Sequence, residues 1–302
     1  MKNFILVAGA TGDLGGRIIK SLIRRGASVH ALVRSGSDKA KFAEIEALGV
    51  TIVEADVSDQ EQLTTVCKGS SCIVSALAGL RDVIIDTQVL LLNAAVAAGV
   101  PRFIPSDFSS DFTKLPEGEN RNFDLRREFH TYLDKAEIKG TSIMIGAFAD
   151  ILSYNTPFFN LKEHTVAFWG DDPNWHVDFT TKDNAAEFTA AAALDADTPT
   201  ILRVASFQVS AIELVALAKE LNKGDFRLKP MGSLADCSAY NKRERAANPE
   251  GENQLYAKWQ QSQYMHSMFS VQNVPLDNDR YPGIVWTGET EVIAQIRLQS
   301  ES

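Results

Sequence analysis

The sequence predicts an α/β protein in which a doubly wound parallel sheet, covered by helices on both faces, is followed by a smaller α/β region. Three observations lead to this prediction. Short apolar runs alternate with amphipathic segments over about 145 residues, the runs are almost continuously apolar or β-branched, and a glycine-rich turn follows the first run. Strands buried on both faces show such runs, and alternation with helices is typical of parallel sheets.

The first half contains six predicted strands separated by helices. The strands are Phe4–Ala8, Ser28–Val33, Val50–Glu54, Ser71–Ser75, Arg102–Ile104 and Ser142–Ile145. Apolar residues at helical spacing predict helices around residues 14–23, 83–97 and 125–133. This order predicts repeated strand–helix–strand units, which are right-handed when the strands are parallel.

The second half is less regular. Ser210 and Glu213 have the capping-box spacing that starts a helix. A later helix, Asn241–Phe269, is rich in aromatic residues and methionine, so it either packs on the sheet or forms a wall of an apolar ligand pocket. The predicted strands are Thr165–Trp169 and Ile201–Val204, and the predicted helices are Lys182–Leu194, Ser210–Leu221, Asn241–Phe269 and Glu291–Leu298.

Composition and charge limit the classes of function. The 302 residues include 30 Lys and Arg against 39 Asp and Glu, which gives a formal net charge of −9. Because phosphate backbones and anionic lipids attract basic proteins, this balance argues against nucleic-acid and membrane partners. The three cysteines lack metal-site spacing, and the N-terminal apolar run is too short for a signal peptide. We therefore expect a reduced, cytoplasmic protein with no metal site.

The strongest chemical signal is the turn after the first strand, where Gly9, Gly12 and Gly15 form the pattern GxxGxxG. The first glycine permits a tight turn, the second lets the backbone approach a pyrophosphate, and the third lets the helix pack closely. The helix that follows offers N–H groups and a positive dipole end to an anion. Asp13 does not fit this role, because its carboxylate would repel a pyrophosphate; the alternative is that its charge favours the helix N-terminus. The turn predicts a dinucleotide cofactor.

The end of the second strand indicates which cofactor. NAD-selective proteins usually carry Asp or Glu there for the ribose hydroxyls, whereas this chain carries Arg34, followed by Ser35 and Lys39. An arginine can make a bidentate, charge-assisted contact with a 2′-phosphate, so the sequence predicts NADP(H). Asp56 and Val57 are expected near the adenine, and Ser75, Ala76 and Leu77 near the pyrophosphate and the nicotinamide ribose.

The chain also resembles the NmrA-like and isoflavone-reductase-like atypical short-chain dehydrogenases/reductases. The resemblance covers residues 4–220 and is carried by the Gly9–Gly15 turn, Val33-Arg34, Gln88, the stretch Ala95–Phe108 and Val177–Ala186. It implies a Rossmann domain over residues 1–152, completed by parts of 176–210, a substrate-binding region over 153–302, and NADPH in the cleft. Many members reduce small aromatic or phenylpropanoid-type substrates, and others bind the dinucleotide as redox-sensing regulators.

Other residues of these motifs and their neighbours complete the expected site. The further cofactor contacts are expected from Thr11, Leu14, Pro105, Ser106 and Phe148. The substrate contacts are expected from Phe108, Tyr154 and Trp259.

The catalytic position departs from the family. No tyrosine precedes a lysine by four residues, so the YxxxK pair of ordinary short-chain dehydrogenases is absent from the sequence. Isoflavone-reductase-like members carry a lysine three residues after a phenylalanine; here Arg126 follows Phe123 at that spacing. Arginine stays charged, so Arg126 is expected to orient the cofactor or stabilise an oxyanion and is a poor general acid.

Three side chains are candidates for the missing proton donor. His130 lies on the same helical face as Arg126, although a half-buried structural histidine is an equal alternative. Ser106 follows the fifth strand, where it either bonds a substrate oxygen or caps a turn, and Tyr154 is the third candidate. Asp107 and Asp150 are expected to hold Arg126 in place.

These observations support two hypotheses from different classes. The first is an NADPH-dependent reductase of a small, apolar or aromatic carbonyl or conjugated substrate, acting as a monomer or homodimer. The second is an NADP(H)-binding sensor that acts through a regulatory protein partner. An epimerase or dehydratase is a weaker alternative, because those enzymes rely on the missing Tyr/Lys pair.

Overall fold

A computed structural model describes residues 3–222 and 224–300. The chain forms two compact units that alternate along the sequence. The first takes in the described residues up to Phe108, together with Asn122–Ile143 and Ala185–Leu202, and the second takes in Ser109–Arg121, Met144–Asn184 and the described residues from Arg203. The assignment of nucleotide binding to residues 1–152 and of substrate binding to 153–302 stays a proposal.

The first unit contains a six-stranded sheet in the order β3-β2-β1-β4-β5-β6, with every pairing parallel. The chain moves outward from β1 to β3 and returns to continue from β4 on the other side. This order confirms the predicted doubly wound sheet. The strands are β1 Phe4–Ala8, β2 Val29–Arg34, β3 Thr51–Ala55, β4 Ser70–Ser75, β5 Arg102–Ile104 and β6 Lys139–Gly140.

The predicted sixth strand is wrong in one respect. Thr141 donates its N–H to the Phe103 carbonyl of β5, but the next N–H, of Ser142, donates to the Thr200 carbonyl. The chain therefore changes partner at this point. The sheet ends with β6, and β7 (Ser142–Met144) pairs with β12 (Ile201–Arg203) as a separate two-stranded ladder.

Helices of the first unit lie at the three positions that the apolar spacing predicts, and two further helices, Ala43–Glu46 and Gln60–Cys67, were not predicted. A turn of π-helix, Asp82–Thr87, precedes α4 and leads into it without a break. Leu6, Ile73, Phe103 and Phe129 are fully buried in one apolar core. The helices are α1 Asp13–Arg24, α2 Ala43–Glu46, α3 Gln60–Cys67, α4 Gln88–Ala97 and α5 Arg121–Leu133, of which Arg121 belongs to the second unit.

The second unit is built from short strands that sequence periodicity reveals poorly. Two three-stranded sheets have the orders β13-β11-β8 and β14-β10-β9. The strands are β8 Ala147–Phe148, β9 Phe159–Asn160, β10 Thr165–Phe168, β11 His176–Thr180, β13 Phe207–Ser210 and β14 Arg227–Pro230. Their shared core is aromatic and includes Phe158, Phe179 and Phe269.

The helices of the second half confirm most of the predicted positions. Ser210 and Glu213 form the predicted reciprocal capping bonds. The predicted helix Asn241–Phe269 is wrong, because Pro249 cannot continue a helix and α8 ends two residues before it. The helices are α6 Lys182–Leu194, α7 Ala211–Asn222, α8 Leu234–Ala247, α9 Lys258–Met268 and α10 Glu289–Ser300. Within the described ranges, no helix is both long and apolar enough to cross a bilayer.

Candidate active site

The glycine turn lies at the carboxyl end of β1, where the backbone passes very close to two neighbouring segments. Gly9 has φ +79°, and a Cβ there would stand 2.5 Å from the Ala76 carbonyl oxygen. A Cβ at Gly15 would stand 2.1 Å from the Gly9 carbonyl oxygen. No side chain can replace either hydrogen without moving backbone, so these glycines shape a cradle over the start of α1.

The N-terminus of α1 has no side-chain cap at Gly12, which leaves its first turn available to an anion. The Asp13 carboxylate would by itself repel a bound anion. In the structure, however, Arg17 Nε lies 2.7 Å from Asp13 Oδ1, one helical turn away. The guanidinium offsets the carboxylate charge. Of the other predicted contacts in this turn, Thr11 is exposed and Leu14 is half-buried.

Arg34 is the last residue of β2, the strand next to β1, and its side chain is exposed. Among the described residues, no carboxylate or carbonyl pairs with its guanidinium. The backbone around it is fixed, because the Ser35 N–H donates to the Ala55 carbonyl and the Ser37 N–H donates to the Arg34 carbonyl. Lys39 is exposed in the following 3₁₀ turn. The arrangement presents positive charge at the end of β2.

Asp56 directly follows β3 and carries a structured carboxylate. Its Oδ1 accepts from the Ser58 N–H at 2.9 Å and from the Ser58 hydroxyl at 2.6 Å. These bonds hold the pKa of Asp56 below its ordinary value. The carboxylate therefore stays ionised and oriented, while neighbouring Val57 is half-buried.

Gln88, the first residue of α4, joins the loops that follow β4 and β5. Its Oε1 accepts from the buried Ser75 hydroxyl at 2.6 Å and from the Ser106 N–H at 3.1 Å. The Ser106 hydroxyl in turn donates to the Leu77 carbonyl at 2.6 Å. In this conformation the Ser106 proton serves a structural bond between the two loops, while Ala76 is half-buried beside them.

Arg126 points its guanidinium at backbone carbonyls of the first unit. Nε donates to the Ser106 carbonyl at 3.2 Å and Nη1 donates to the Asn122 carbonyl at 3.0 Å. The guanidinium also lies 5.9 Å from the centre of the Phe123 ring. The expectation that Asp107 or Asp150 holds Arg126 is wrong, because both carboxylates bond other groups.

His130 meets Asp107 one turn further along α5. Its Nε2 lies 2.7 Å from Asp107 Oδ2, and the same oxygen accepts from the Ser142 hydroxyl at 2.7 Å. Burial lowers the pKa of His130, but the Asp107 charge and hydrogen bond outweigh burial and raise the pKa above its ordinary value. This bonding favours the structural alternative for His130 over a free proton donor.

In the second unit, Phe148 and Tyr154 lie near the ion pair of Lys182 and Asp150. Lys182 Nζ lies 2.6 Å from Asp150 Oδ2 and 6.0 Å from the centre of the Phe148 ring. The hydroxyl of Tyr154, a residue that is 64% exposed, donates to the same Asp150 oxygen at 2.8 Å. Asp150 therefore pairs with Lys182, and each of the two aromatic residues lies close to one member of that pair.

Trp259 corrects another expectation. The residue is only 3% exposed, and the guanidinium groups of Arg121 and Arg245 lie 5.0 and 5.1 Å from the centre of its ring. Its Nε1 donates to the Asn248 carbonyl. The residue packs inside the second unit and offers a substrate almost no surface. Phe108 of the first unit is similarly buried at 7% exposure, as is Pro105.

Sequence reasoning missed the roles of Gln88, Lys182 and Ser142. Gln88 stood in a motif, but its role depends on two loops that only the fold brings together. Asp150 and Tyr154 are four residues apart, and this spacing was a usable signal for their hydrogen bond. Nothing in the sequence signals the ion pair between Lys182 and Asp150, because the pairing of β11 with β8 brings these two residues together.

Comparison with known proteins gives a consistent result. The model of the NmrA-like family matches residues 1–220. Pinoresinol reductase 1 of Arabidopsis thaliana is 34% identical over 206 residues, 63% of this chain and 64% of that protein. The isoflavone reductase of Pisum sativum is 27% identical over 241 residues, 72% of this chain and 74% of that protein. The chain thus spans about 64% of the length of pinoresinol reductase 1, slightly under two thirds.

Solved structures extend the likeness over nearly the whole chain. AtPrR2 with NADP+ and (+)pinoresinol has a TM-score of 0.78 at 25% identity, covering 98% of this chain and 99% of that one. The binary complex of leucoanthocyanidin reductase with NADPH from Vitis vinifera has a TM-score of 0.79 at 19% identity, covering 98% and 100%. The second likeness supports the fold alone.

Proposed function

The chain belongs to the NmrA-like family, and from this premise we propose that it is an NADPH-dependent reductase of small aromatic substrates of the phenylpropanoid type. The observation that carries the proposal is the pairing of the glycine cradle with Arg34. They lie at the carboxyl ends of adjacent parallel strands, β1 and β2, which run in register with Ala8 opposite Leu32. In open α/β sheets, ligands bind at this edge.

The residues present fit the cofactor. The close backbone approaches at Gly9 and Gly15 shape the turn beside α1, and the uncapped first turn of that helix supplies N–H groups for a pyrophosphate. Arg34 supplies a guanidinium for the 2′-phosphate, and Ser35 and Lys39 supply further donors. When bound, NADPH would supply a hydride to the substrate.

The chain's own residues have distinct parts in this reaction. Gln88 fixes the loop that contains Ala76 and Leu77 and the loop that contains Pro105 and Ser106, so the floor of the site is formed before a ligand arrives. Arg126 keeps its positive charge near Ser106 and is suited to stabilise negative charge that develops on a substrate oxygen. Phe148 and Tyr154 are proposed to border the ligands with their aromatic rings.

The first experiment measures cofactor and substrate preference together. Calorimetry with NADPH and NADH is expected to show clearly tighter binding of NADPH. Substrate-dependent oxidation of NADPH is then followed with (+)-pinoresinol, an isoflavone, an aromatic aldehyde and a quinone, and products are identified by mass spectrometry. Tight NADPH binding with no oxidation by any of these acceptors would remove the reductase proposal.

A second candidate function is an NADP(H)-responsive regulator that acts through a protein partner. The observation in its favour is Arg126, which stands where the related reductases carry a proton-transferring lysine and which bonds backbone carbonyls. A regulator must distinguish the two redox states, so its affinities for NADP+ and NADPH should differ several-fold. Equal affinities would argue against this alternative, and turnover of any acceptor in the panel would make it unnecessary.

A further inference from the structure

The cluster of Tyr154, Asp150 and Lys182 has a chemistry that the proposed function does not yet use. One carboxylate oxygen, Asp150 Oδ2, accepts from the Lys182 ammonium at 2.6 Å and from the Tyr154 hydroxyl at 2.8 Å. A phenol and an ammonium therefore share one acceptor oxygen, although 28 positions separate them in the sequence. Pattern matching along the chain cannot find such a pair.

The cluster is held by rigid local structure. Asp150 lies in the 3₁₀ turn Ala149–Ser153, where the Ser153 hydroxyl donates to its carbonyl at 2.6 Å. Lys182 is the first residue of α6 and follows β11, whose Thr180 pairs with Phe148 in register. The Thr180 hydroxyl donates to the Ile145 carbonyl at 2.6 Å. Both charged groups therefore start from fixed backbone.

Access differs among the three side chains in a way that suits proton delivery. Tyr154 is 64% exposed, whereas the side chains of Lys182 and Asp150 are 28% and 31% exposed. The phenol is thus the member that a bound molecule can reach. Lys182 lies over the face of Phe148, where its charge is partly shielded from water.

We propose, on the premise of the reductase function above, that Tyr154 is the proton donor for carbonyl substrates and that Lys182 and Asp150 are its positioning residues. Arg126 cannot fill this role, because a guanidinium does not release its proton near neutral pH. As the carbonyl carbon gains a hydride, its C=O π pair moves onto oxygen. The Tyr154 O–H bond breaks, an O–H bond forms on the substrate, and the Lys182 ammonium offsets the neighbouring negative charges of the phenolate and Asp150 until solvent returns a proton.

The chemistry separates substrates into two groups. Reduction of an aldehyde or ketone generates an alkoxide, a strong base that needs a proton during the reaction. Reduction of a quinone generates a hydroquinone anion, a much weaker base that solvent protonates afterwards. Loss of the Tyr154 hydroxyl should therefore slow the first group far more than the second, and a general structural defect would slow both equally.

The experiment compares four variants with the wild-type enzyme on an aromatic aldehyde and a quinone. Tyr154→Phe is expected to lower kcat for the aldehyde by about 100-fold or more, the contribution typical of general acids, and for the quinone by less than about fivefold. Lys182→Met is expected to lower aldehyde turnover by about tenfold, and Lys182→Arg to recover most of it because the charge returns. Tyr256→Phe, at a residue of the same unit that is 71% exposed, is the matched control and should match wild type.

A second readout needs neither cofactor nor turnover. The difference in tyrosinate absorbance between wild type and Tyr154→Phe reports the ionisation of Tyr154 in the ligand-free protein. In the Lys182→Met background this ionisation should move to higher pH, because the phenolate loses its ammonium neighbour while Asp150 remains.

The outcomes separate this proposal from the one on which it rests. If wild type reduces no acceptor, the reductase function fails and the proton-donor proposal fails with it. If wild type reduces the aldehyde and Tyr154→Phe does so equally well, only the proton-donor proposal fails. Equal losses on aldehyde and quinone, reduction of quinones alone by wild type, or an unmoved ionisation in Lys182→Met would each overturn it as well.

Discussion

The two units are stabilised in different ways. In the first unit the decisive positions are places where backbones nearly touch, such as Gly9 and Gly15 in the turn after β1. In the second unit, polar side chains hold short strands and loops through bonds to backbone: Arg121 donates to the carbonyls of Gly251, Glu252 and Gln254. Added volume at Gly9 or Gly15 of the first unit and removal of the Arg121 donor from the second unit should therefore each lower stability, by different mechanisms.

The largest expected effect is therefore in the second unit. Arg121→Met should lower the free energy of unfolding by about 3–5 kcal/mol, because three backbone carbonyls lose a buried donor and Trp259 loses one of its two arginine neighbours. Urea denaturation measures the loss. Arg243→Met is the control, since Arg243 is exposed over Tyr240 and should cost less than about 0.5 kcal/mol. Equal costs for the two variants would contradict the comparison.

A slightly smaller effect is expected from added volume in the first unit. Gly15→Ala should cost about 2–3 kcal/mol of stability and weaken NADPH binding, because its Cβ would meet the Gly9 carbonyl. Gly16→Ala is the matched control: its Cβ would lie 3.7 Å from the Ala10 carbonyl oxygen, an ordinary contact. This control should be neutral or stabilising by up to about 1 kcal/mol. Similar stabilities for both variants would show that the close approach has no energetic importance.

The preference for NADPH over NADH tests whether the positive charge of Arg34, at the end of β2, contacts the 2′-phosphate. Arg34→Ala should weaken NADPH binding by about 1.5–3 kcal/mol, the value of a charge-assisted hydrogen bond, and leave NADH binding unchanged. Calorimetry with both cofactors checks this, and NADH is the internal control. Equal losses for the two cofactors would mean that Arg34 does not contact the 2′-phosphate.

The smallest expected effect is a difference in pH dependence between one histidine of each unit. Asp107 raises the pKa of His130 against the effect of burial, so its stabilisation is complete below about pH 6.5 and is lost as pH rises through the folded-state pKa. Burial lowers the pKa of His266, so the folded protein loses stability as pH falls below about 6.5. Unfolding free energies of wild type, His130→Gln and His266→Gln across this range should show opposite slopes for the two sites. Parallel slopes would contradict the assigned directions.

The sequence was sufficient wherever short-range patterns determine structure. The Gly9–Gly15 turn and the Ser210–Glu213 cap each depend on neighbouring residues, the doubly wound sheet follows from the alternation of apolar runs with helical patterns, and the structure confirms all three. The position of Arg34 at the end of β2 follows from the same local order. The roles of these residues toward NADP(H) stay predictions that the variants above examine.

The sequence predictions that were wrong mostly concern residues whose contacts come from distant parts of the chain. Pro249 was visible in the sequence, but Asn241–Phe269 was predicted as one helix rich in aromatic residues and methionine, where α8 and α9 are separate. Trp259 was expected at the substrate because it belongs to an aromatic-rich segment, whereas the fold buries it near Arg245 of α8 and near Arg121, which is far away in sequence. Asp107 was expected to pair with Arg126, whereas the fold gives it His130 and Ser142.

Gln88 has a consequence for how ligands are received. One amide oxygen accepts from both Ser75 and Ser106, so the loops after β4 and β5 cannot fluctuate independently. Their conformational entropy is already lost when the protein folds. A molecule that touches either loop therefore meets a surface that needs little further ordering, and more of its contact energy appears as affinity.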